Sequence, residues 1–216
     1  MRESFHERLD ELGEQLADMA QQAGAAISGA TTALLTADLA LAERVVEGDA
    51  VIDRARSRCE EHAYALLALQ APVATDLRVV LAGVRIAESL ERMGDLAKHI
   101  ARTARRRHPE HAVPDPVRPA FTEMGRICTQ LARATELAVR SRSLTLVRSL
   151  EESDDEVDQL YRELFITLMA PGWAYGVVAA VDVALLGRFY ERFADHAVGV
   201  ARQMSFVATG RLGKSD

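Results

Sequence analysis

Two short segments of this chain recur in the same order, and this internal repeat constrains the fold more strongly than any single motif. The segment LERMGD at 90–95 recurs as YERFAD at 190–195, an offset of 100 residues. The segment GDAVID at 48–53 recurs as SDDEVD at 153–158, an offset of 105 residues. The chain is therefore predicted to contain two copies of one unit, which are too few for a solenoid. The second copy is shorter by five residues around position 171.

The residues around these segments follow a helical period. Apolar side chains recur at three- and four-residue spacing, as in Leu90, Met93, Leu96, Ala97 and Ile100. Aromatic residues make up 5% of the chain, and 13 glycines and six prolines are few for 216 residues. This composition argues against a β-sandwich and favours long helices. The pattern predicts six helices, at about 4–46, 50–70, 74–107, 116–150, 154–169 and 174–208.

Proline positions divide the chain into two halves. Four of the six prolines lie within 109–119, which predicts a linker there. We therefore expect an all-α protein with one three-helix bundle in 1–110 and a second in 111–216. Each half is predicted to consist of a long, a short and a long helix, with Asp49 and Asp154 as the N-caps of the short helices.

Charge and cysteine content exclude several classes of protein. The formal net charge is −6 and the pI is about 5.6, which argues against a nucleic-acid partner. The basic run Arg102–Arg107 ends a predicted helix, where it suits the negative end of the helix dipole. Cys59 and Cys128 lie in helical patterns without CxxC spacing and are expected to be buried thiols. No apolar run approaches ~18 residues, so a cytoplasmic protein is expected.

Paired carboxylates are the main candidates for chemistry. Glu91 and Asp95 are four residues apart, so they share one helix face, and the second copy repeats the pair as Glu191 and Asp195. Four-residue spacing also relates Asp49 to Asp53 and Asp154 to Asp158. If the second helix of each half packs beside the third, four carboxylates could converge in each bundle. Such a group needs a cation or protons, and oxygen ligands suit Mg²⁺, Mn²⁺, Ca²⁺ or iron.

A salt-bridged, solvated helix face explains the same pattern without a metal. Arg92 and Lys98 each lie three residues from Asp95, and Arg192 follows Glu191. Duplication copies residues that serve the fold as readily as residues that serve a function, so the repeat leaves both interpretations open.

Other chemistry has weaker support. A di-iron carboxylate enzyme needs Glu-x-x-His on two helices, and the sequence offers one such pair, Glu3 and His6, at an end expected to fray. The chain has neither a GxSxG nucleophile elbow nor a Walker-type phosphate loop. A group of four aromatic residues is expected to fill the core of the second bundle: Trp173, Tyr175, Tyr190 and Phe193.

At these motifs the sequence resembles the PhoU family of phosphate-signalling regulators. The stretches that carry the resemblance are LQAPVATDLR at 69–78, LERMGDLAKHIAR at 90–102 and YERFADHAVGVAR at 190–202. The resemblance implies two tandem three-helix bundles related by a pseudo-twofold axis. It also implies a cytoplasmic, non-enzymatic negative regulator that connects the phosphate ABC transporter, through its ATPase subunit, with a membrane sensor histidine kinase. Membrane association would then be peripheral only, and a homodimer is expected.

The resemblance further implies metal sites with iron, manganese, magnesium or zinc. The implied ligands are, for the first site, Asp49, Asp53, Glu91 and Asp95, and for the second site, Asp154, Asp158, Glu191 and Asp195. An Asn often follows each motif Asp by four residues in the family, but this chain has His99 and Gly199 there. We therefore expect the first site, with His99 as an additional ligand or hydrogen-bonding group, to be the better metal site. The alternatives are a metal-dependent ancillary enzyme or phosphate-handling protein, and a metal-free helical scaffold.

Overall fold

The described part of the chain is built from α-helices. The computed structural model describes residues 2–70 and 72–210, and within them the side chains of all but 2–4, 69–70, 144–149 and 151–154. The helices are α1 (Arg2–Thr36), α2 (Leu39–Gln70), α3 (Ala74–Arg107), α4 (Arg118–Ser141), α5 (Leu144–Met169) and α6 (Gly176–Thr209), with a 3₁₀ turn at Asp115–Val117. The described residues contain no strand, which confirms the predicted all-α class.

The six helices form two three-helix bundles that share one core. Helices α1, α2 and α3 pack against one another, as do α4, α5 and α6. The two bundles meet where α1 packs on α4 and α3 packs on α6. Helices α1, α3, α4 and α6 therefore form a central group of four, while α2 and α5 cover it from the outside. The buried apolar side chains of both halves make a single continuous cluster.

A close contact between α1 and α4 fixes the join between the halves. A Cβ atom added to Gly125 of α4 would lie 2.3 Å from Cγ2 of Thr31, so no larger residue fits there without movement. The Thr31 hydroxyl is also 2.8 Å from the hydroxyl of Tyr190 on α6, and both side chains are buried. This hydrogen bond satisfies two polar groups that would otherwise be costly inside an apolar core.

The predicted boundary between the first two helices is wrong. Helix α1 ends at Thr36, and Ala37 adopts a left-handed φ of 54°. Asp38 then caps α2, because its Oδ1 accepts a hydrogen bond from the backbone N–H of Leu41 at 2.9 Å. Asp49 consequently lies inside α2 and is not an N-cap. The break carries neither glycine nor proline, which is why helical periodicity alone placed it ten residues too late.

The second half has the same error at the equivalent place. Helix α4 ends at Ser141, Arg142 has a left-handed φ of 53°, and α5 begins at Leu144. The backbone at Asp154 is therefore helical, so Asp154 is not an N-cap either. With 32 residues in α2 and 26 in α5, the expected long–short–long arrangement is also wrong. Each half instead has a second helix long enough to cover most of the third.

The expected core residues are confirmed in part. Cys59 and Cys128 are buried free cysteines, and burial raises the pKa of Cys59 to about 11. Tyr190 and Phe193 are fully buried, as predicted. Tyr175 is 49% exposed, which contradicts its expected place in the core. Trp173 is only partly buried against the core edge.

The basic end of α3 has a structural role beyond the helix dipole. Arg106 Nη2 lies 2.8 Å from Oδ1 of Asp182, and Arg107 Nε lies 2.5 Å from its Oδ2. Asp182 belongs to α6 and is buried, so its carboxylate depends on these two guanidinium groups. The two ion pairs tie the C-terminal end of α3 to the N-terminal part of α6.

We expect Asp182→Ala to lower the free energy of unfolding by about 2 kcal/mol, because it removes two charge-assisted hydrogen bonds at a buried position. Asp115→Ala is the matched control, since Asp115 is exposed and forms one ion pair of 3.4 Å with Arg118. The control should change stability by less than about 0.5 kcal/mol. Urea unfolding followed by helical circular dichroism measures both, and equal effects would show that the α3–α6 ion pairs add nothing.

Candidate functional site

The first carboxylate cluster lies along the contact between α2 and α3. It consists of Asp49, Asp53, Glu91 and Asp95. A Cβ atom added to Gly94 would lie 2.8 Å from Cδ1 of Ile52 and 3.5 Å from Oδ1 of Asp49. The glycine therefore allows α2 to approach α3 closely enough for the acidic residues of both helices to meet. Asp49 and Glu91 are buried, whereas Asp53 is exposed.

Lys98 supplies the positive charge at the centre of this cluster. Its Nζ donates hydrogen bonds to Oδ2 of Asp49, across the helix contact, and to Oδ1 of Asp95 at 2.5 Å. Burial alone would raise the pKa of Asp95, but the hydrogen bond and charge of Lys98 outweigh it and lower that pKa. Burial alone would lower the pKa of Lys98, and the same two carboxylates raise it instead. The ammonium thus occupies the position between α2 and α3 that a metal ion would need.

Glu91 is less completely neutralised. Its Oε2 lies 3.6 Å from Nη1 of Arg56 and 3.6 Å from Nε of Arg92, and it accepts no hydrogen bond. Burial raises the pKa of Glu91, and the charge of Arg92 offsets only part of this increase. Arg56 belongs to α2, so the first cluster draws positive charge from both helices.

The second cluster, on α5 and α6, lacks the central lysine. It comprises Asp154, Asp158, Glu191 and Asp195, and the side chain of Asp154 lies outside the described residues. By the offset of 100 residues, Val198 stands where the first half has Lys98, and this valine is buried. By the offset of 105 residues, Tyr161 replaces Arg56. The second half has therefore lost both of the positive charges that reach across the first cluster.

Two carboxyl groups of the second cluster have raised pKa values. Burial, together with repulsion from Asp195, raises the pKa of both Asp158 and Glu191. Arg188 donates a hydrogen bond to Oε1 of Glu191, but Oε2 is buried without a hydrogen-bond partner. The cations of this half, Arg162 beside Asp158 at 3.9 Å and Arg188 beside Glu191, each lie on the same helix as the carboxylate they pair with.

His99 and Gly199 face the contact between the two halves. The His99 ring stacks on Phe189 of α6, with centroids 5.3 Å apart. A Cβ atom added to Gly199 would have Oγ of Ser89, on α3, as its nearest neighbour at 3.7 Å. Both positions therefore look onto the opposite half, so the missing side chain at Gly199 does not by itself deprive the second cluster of a ligand.

The two clusters differ in how well they suit a metal ion. Among the described side chains, no three from His, Cys, Asp and Glu are arranged to hold a metal. The first cluster does not fit a cation, because Lys98 already bridges Asp49 and Asp95. Both clusters offer carboxylate oxygens, and Oε2 is unpartnered in Glu91 and in Glu191 alike. The second cluster fits better only because Val198 stands where Lys98 bridges two carboxylates in the first. Gly199 led us to expect the better metal site at the first cluster. The arrangement of the charged side chains instead favours the second cluster.

The four-residue spacings identified the carboxylates but not the cations that contact them from the neighbouring helix. The spacing of Lys98 from Asp95 indicated a pair on one helix, whereas the contact with Asp49 depends on how α2 packs. The available signal was the comparison of the two copies, in which lysine at 98 corresponds to valine at 198.

Lys98→Met is expected to lower the free energy of unfolding by about 2–3 kcal/mol at neutral pH, because it leaves the buried Asp49 without its cation and Asp95 with Arg92 alone. The lowered pKa of Asp95 stabilises the fold above the ordinary aspartate pKa and loses that effect in acid. The deficit should therefore shrink as the pH falls through the aspartate range. Unfolding by urea at several pH values measures this difference.

Arg126→Met is the control for this experiment, because Arg126 forms an exposed pair with Glu123 one turn away on α4. It should leave stability unchanged. A Lys98→Met protein as stable as the unaltered chain at neutral pH would contradict the role assigned to Lys98.

Known proteins are similar to this chain over its whole length. The family model described as "PhoU domain" matches twice, at residues 16–104 and 121–204. A Mycobacterium leprae protein named "Phosphate-specific transport system accessory protein PhoU homolog 1" is 50% identical over 216 residues, covering 100% of this chain and 97% of that protein. A Mycobacterium tuberculosis protein named as homolog 2 is 50% identical over 210 residues, covering 97% and 99%.

Two solved structures have the same architecture. The crystal structure of PhoU from Pseudomonas aeruginosa has a TM-score of 0.87 at 26% identity, covering 96% of this chain and 100% of that one. The structure of the phosphate transport system regulatory protein PhoU from Streptococcus pneumoniae has a TM-score of 0.86 at 25% identity, covering 98% and 100%. The likeness therefore extends over sequence and fold alike.

Proposed function

The chain belongs to the PhoU family, and from this we propose that it restrains phosphate uptake and phosphate-regulon signalling when phosphate is plentiful. As a family member it is an accessory protein and not an enzyme. The observation that carries the proposal is the full-length identity of 50% with proteins named as accessory proteins of the phosphate-specific transport system. The Streptococcus pneumoniae structure, whose title names a regulatory protein of phosphate transport, supports the same role.

The proposed mechanism is that of a cytoplasmic adaptor. The chain would bind the ATPase subunit of the phosphate ABC transporter and a sensor histidine kinase, as a homodimer and without nucleic acid. An adaptor changes the activity of a partner only if it binds one conformational state more tightly than the other. The shared core of α1, α3, α4 and α6 supports this role, because it joins the outer helices α2 and α5 to one continuous apolar cluster.

We place the proposed metal ion at the second cluster. There Asp158, Glu191 and Asp195 would supply oxygen ligands, with Asp154 as the fourth carboxylate of the set. Iron, manganese, magnesium or zinc would supply the positive charge that Lys98 supplies in the first half. The ion would hold α5 against α6 and so shape the outer surface of the second bundle. The first half corresponds to the metal-free alternative, with its carboxylates paired internally.

Divalent cations should stabilise chelator-treated protein through the second cluster. A ligand that binds only the folded state stabilises it by about 2.7 kcal/mol at roughly one hundred times its dissociation constant, so the melting temperature should rise by several degrees. Asp158→Asn with Asp195→Asn should abolish the increase in melting temperature. Asp49→Asn with Asp95→Asn should lower the baseline but retain the increase.

Calorimetry with Mg²⁺, Mn²⁺, Zn²⁺ and anaerobic Fe²⁺ measures these shifts. An increase lost only in the Asp49→Asn, Asp95→Asn protein would move the site to the first cluster. No increase with any of these cations would remove the metal from the proposal and leave the adaptor role intact.

The regulatory role itself is tested in a bacterial host that lacks its own PhoU-type protein. Expression of this chain in phosphate-rich medium should lower both phosphate uptake and a phosphate-starvation reporter to the level of the complete host. Asp53→Asn, which alters an exposed carboxylate of the first cluster, should behave like the unaltered chain. Uptake and reporter activity equal to those with an empty vector, despite soluble expression, would contradict the proposal.

A further inference from the structure

The end of the second bundle carries an exposed apolar surface that the regulatory role does not explain. We call this surface the apolar tip, and it consists of Ile166 and Met169 near the end of α5 and Val177, Val178, Val181 and Leu185 at the start of α6. Met169 is 81% exposed, Val177 79% and Ile166 71%. Large apolar side chains exposed together in this way indicate an interaction surface.

The apolar tip also lacks exposed charge of its own. Residues 164–187 include one charged residue, Asp182, and its carboxylate is buried and paired with two arginines of α3. A solvated helix pair of this length would ordinarily carry several charged residues on its outer face.

The first half shows that the fold does not require this composition. By the offset of 100 residues, Val178 corresponds to Arg78 and Leu185 to Arg85. The equivalent helix in the first half therefore carries arginines where α6 exposes apolar side chains. Val177 and Val181 correspond to Leu77 and Leu81, which are also exposed, so the second copy differs in having apolar residues in place of the two arginines.

Basic residues lie next to the apolar tip. Arg106 forms an ion pair with Asp182, the residue that follows Val181 in α6. The basic end of α3 therefore lies beside the start of α6. Arg102, Arg105 and Arg106 are all exposed. An apolar surface flanked by arginines complements the acyl chains and anionic headgroups of a lipid bilayer. A symmetric dimer through the tip would instead bring two copies of this basic flank near one another.

Aromatic residues at the turn between α5 and α6 fit the same environment. Trp173 and Tyr175 lie with ring centroids 5.1 Å apart, and Trp173 Nε1 donates a hydrogen bond to the carbonyl of Gly176 at 2.9 Å. Tryptophan and tyrosine favour the boundary between headgroups and hydrocarbon because each ring has an apolar body and a polar group. None of the described helices has the length and apolarity needed to cross a membrane.

We propose that the apolar tip binds directly to anionic lipid bilayers, with its side chains inserted to the depth of the headgroup boundary and the basic end of α3 on the phosphates. This contact needs no protein partner and is independent of the proposed regulatory function. It would place the chain at the membrane surface before any membrane complex is bound.

The test uses the full chain and protein-free vesicles of phosphatidylcholine, with or without phosphatidylglycerol. Trp173 is the single tryptophan of the sequence and lies in the turn next to the tip, so its fluorescence reports on this end of the second bundle alone. Addition of anionic vesicles should shift its emission to shorter wavelength, and flotation should recover the protein with the lipid. Binding to neutral vesicles should be weaker, because the charge attraction is then absent.

Met169→Asp with Val177→Asp should weaken vesicle binding at least about tenfold, since two apolar side chains no longer leave water. Leu77→Asp with Leu81→Asp is the matched control, because it makes the same change at exposed residues of the first half. The control should bind vesicles like the unaltered chain. All of these positions are exposed, and thermal unfolding of each variant verifies that the fold is intact.

Three results would overturn the proposal. The first is no flotation and no change in Trp173 emission with anionic vesicles. The second is equal weakening by the tip variant and its first-half control, which would mean general adhesion. The third is an oligomer that the tip variant dissociates while the unaltered chain ignores vesicles, which would make a second copy of the chain the occupant of the tip.

Discussion

A carboxylate enclosed between two helices must find a positive charge or keep its proton, and this constraint shapes both halves of the molecule. In the first half Lys98 meets it by bonding Asp49 on α2 and Asp95 on α3 at once. Because the ammonium contacts both helices, it also fixes how α2 lies on α3. Gly94 is part of the same arrangement, since a larger residue there would hold Ile52 and the neighbouring Asp49 away. At this contact the pairing of charges and the packing of the two helices therefore depend on each other.

The second half retains the carboxylates but has a different balance of charge. Val198 and Tyr161 replace the two cations, and Arg188 reaches Glu191 from one turn away on the same helix. A cation on the same helix neutralises charge but does not draw α5 onto α6. Burial and repulsion from Asp195 raise the pKa of Asp158, whose ion pair with Arg162 is 3.9 Å long and also lies within one helix. An external cation would offset that repulsion and make the packing of α5 depend on a ligand, which is useful in a regulator and unnecessary in a scaffold.

The sequence was sufficient for the architecture and insufficient for the contacts. The repeat and the helical period predicted the class, the number of helices and the acidic residues, because these depend on local pattern. The breaks at Ala37 and Arg142 were missed because each uses a left-handed residue without glycine or proline. The pairing of Lys98 with Asp49 and of Asp182 with the end of α3 could not be read from spacing, since each joins different helices. Such pairs depend on how one helix is rotated and positioned against another. Helical periodicity in the sequence does not define that arrangement closely enough to predict a contact between two side chains.

Duplication followed by divergence accounts for the differences between the halves. The central helices cannot change freely, because α1 meets α4 at Gly125 without room for a side chain and Thr31 bonds Tyr190 across the join. The outer seams have similar close contacts, where Gly94 meets Ile52 and Gly187 meets Tyr161, whereas a Cβ atom at Gly172, at the end of the second bundle, would meet nothing within 4 Å. The two halves differ at the clusters and at the tip: Lys98 corresponds to Val198, and Arg78 and Arg85 correspond to Val178 and Leu185. The first half pairs Asp49 and Asp95 through Lys98, while the second half lacks this bridge and exposes the apolar tip, the two features on which the proposed metal site and membrane contact rest. An asymmetric molecule of this kind can use one half as a fixed frame and the other as the part that responds.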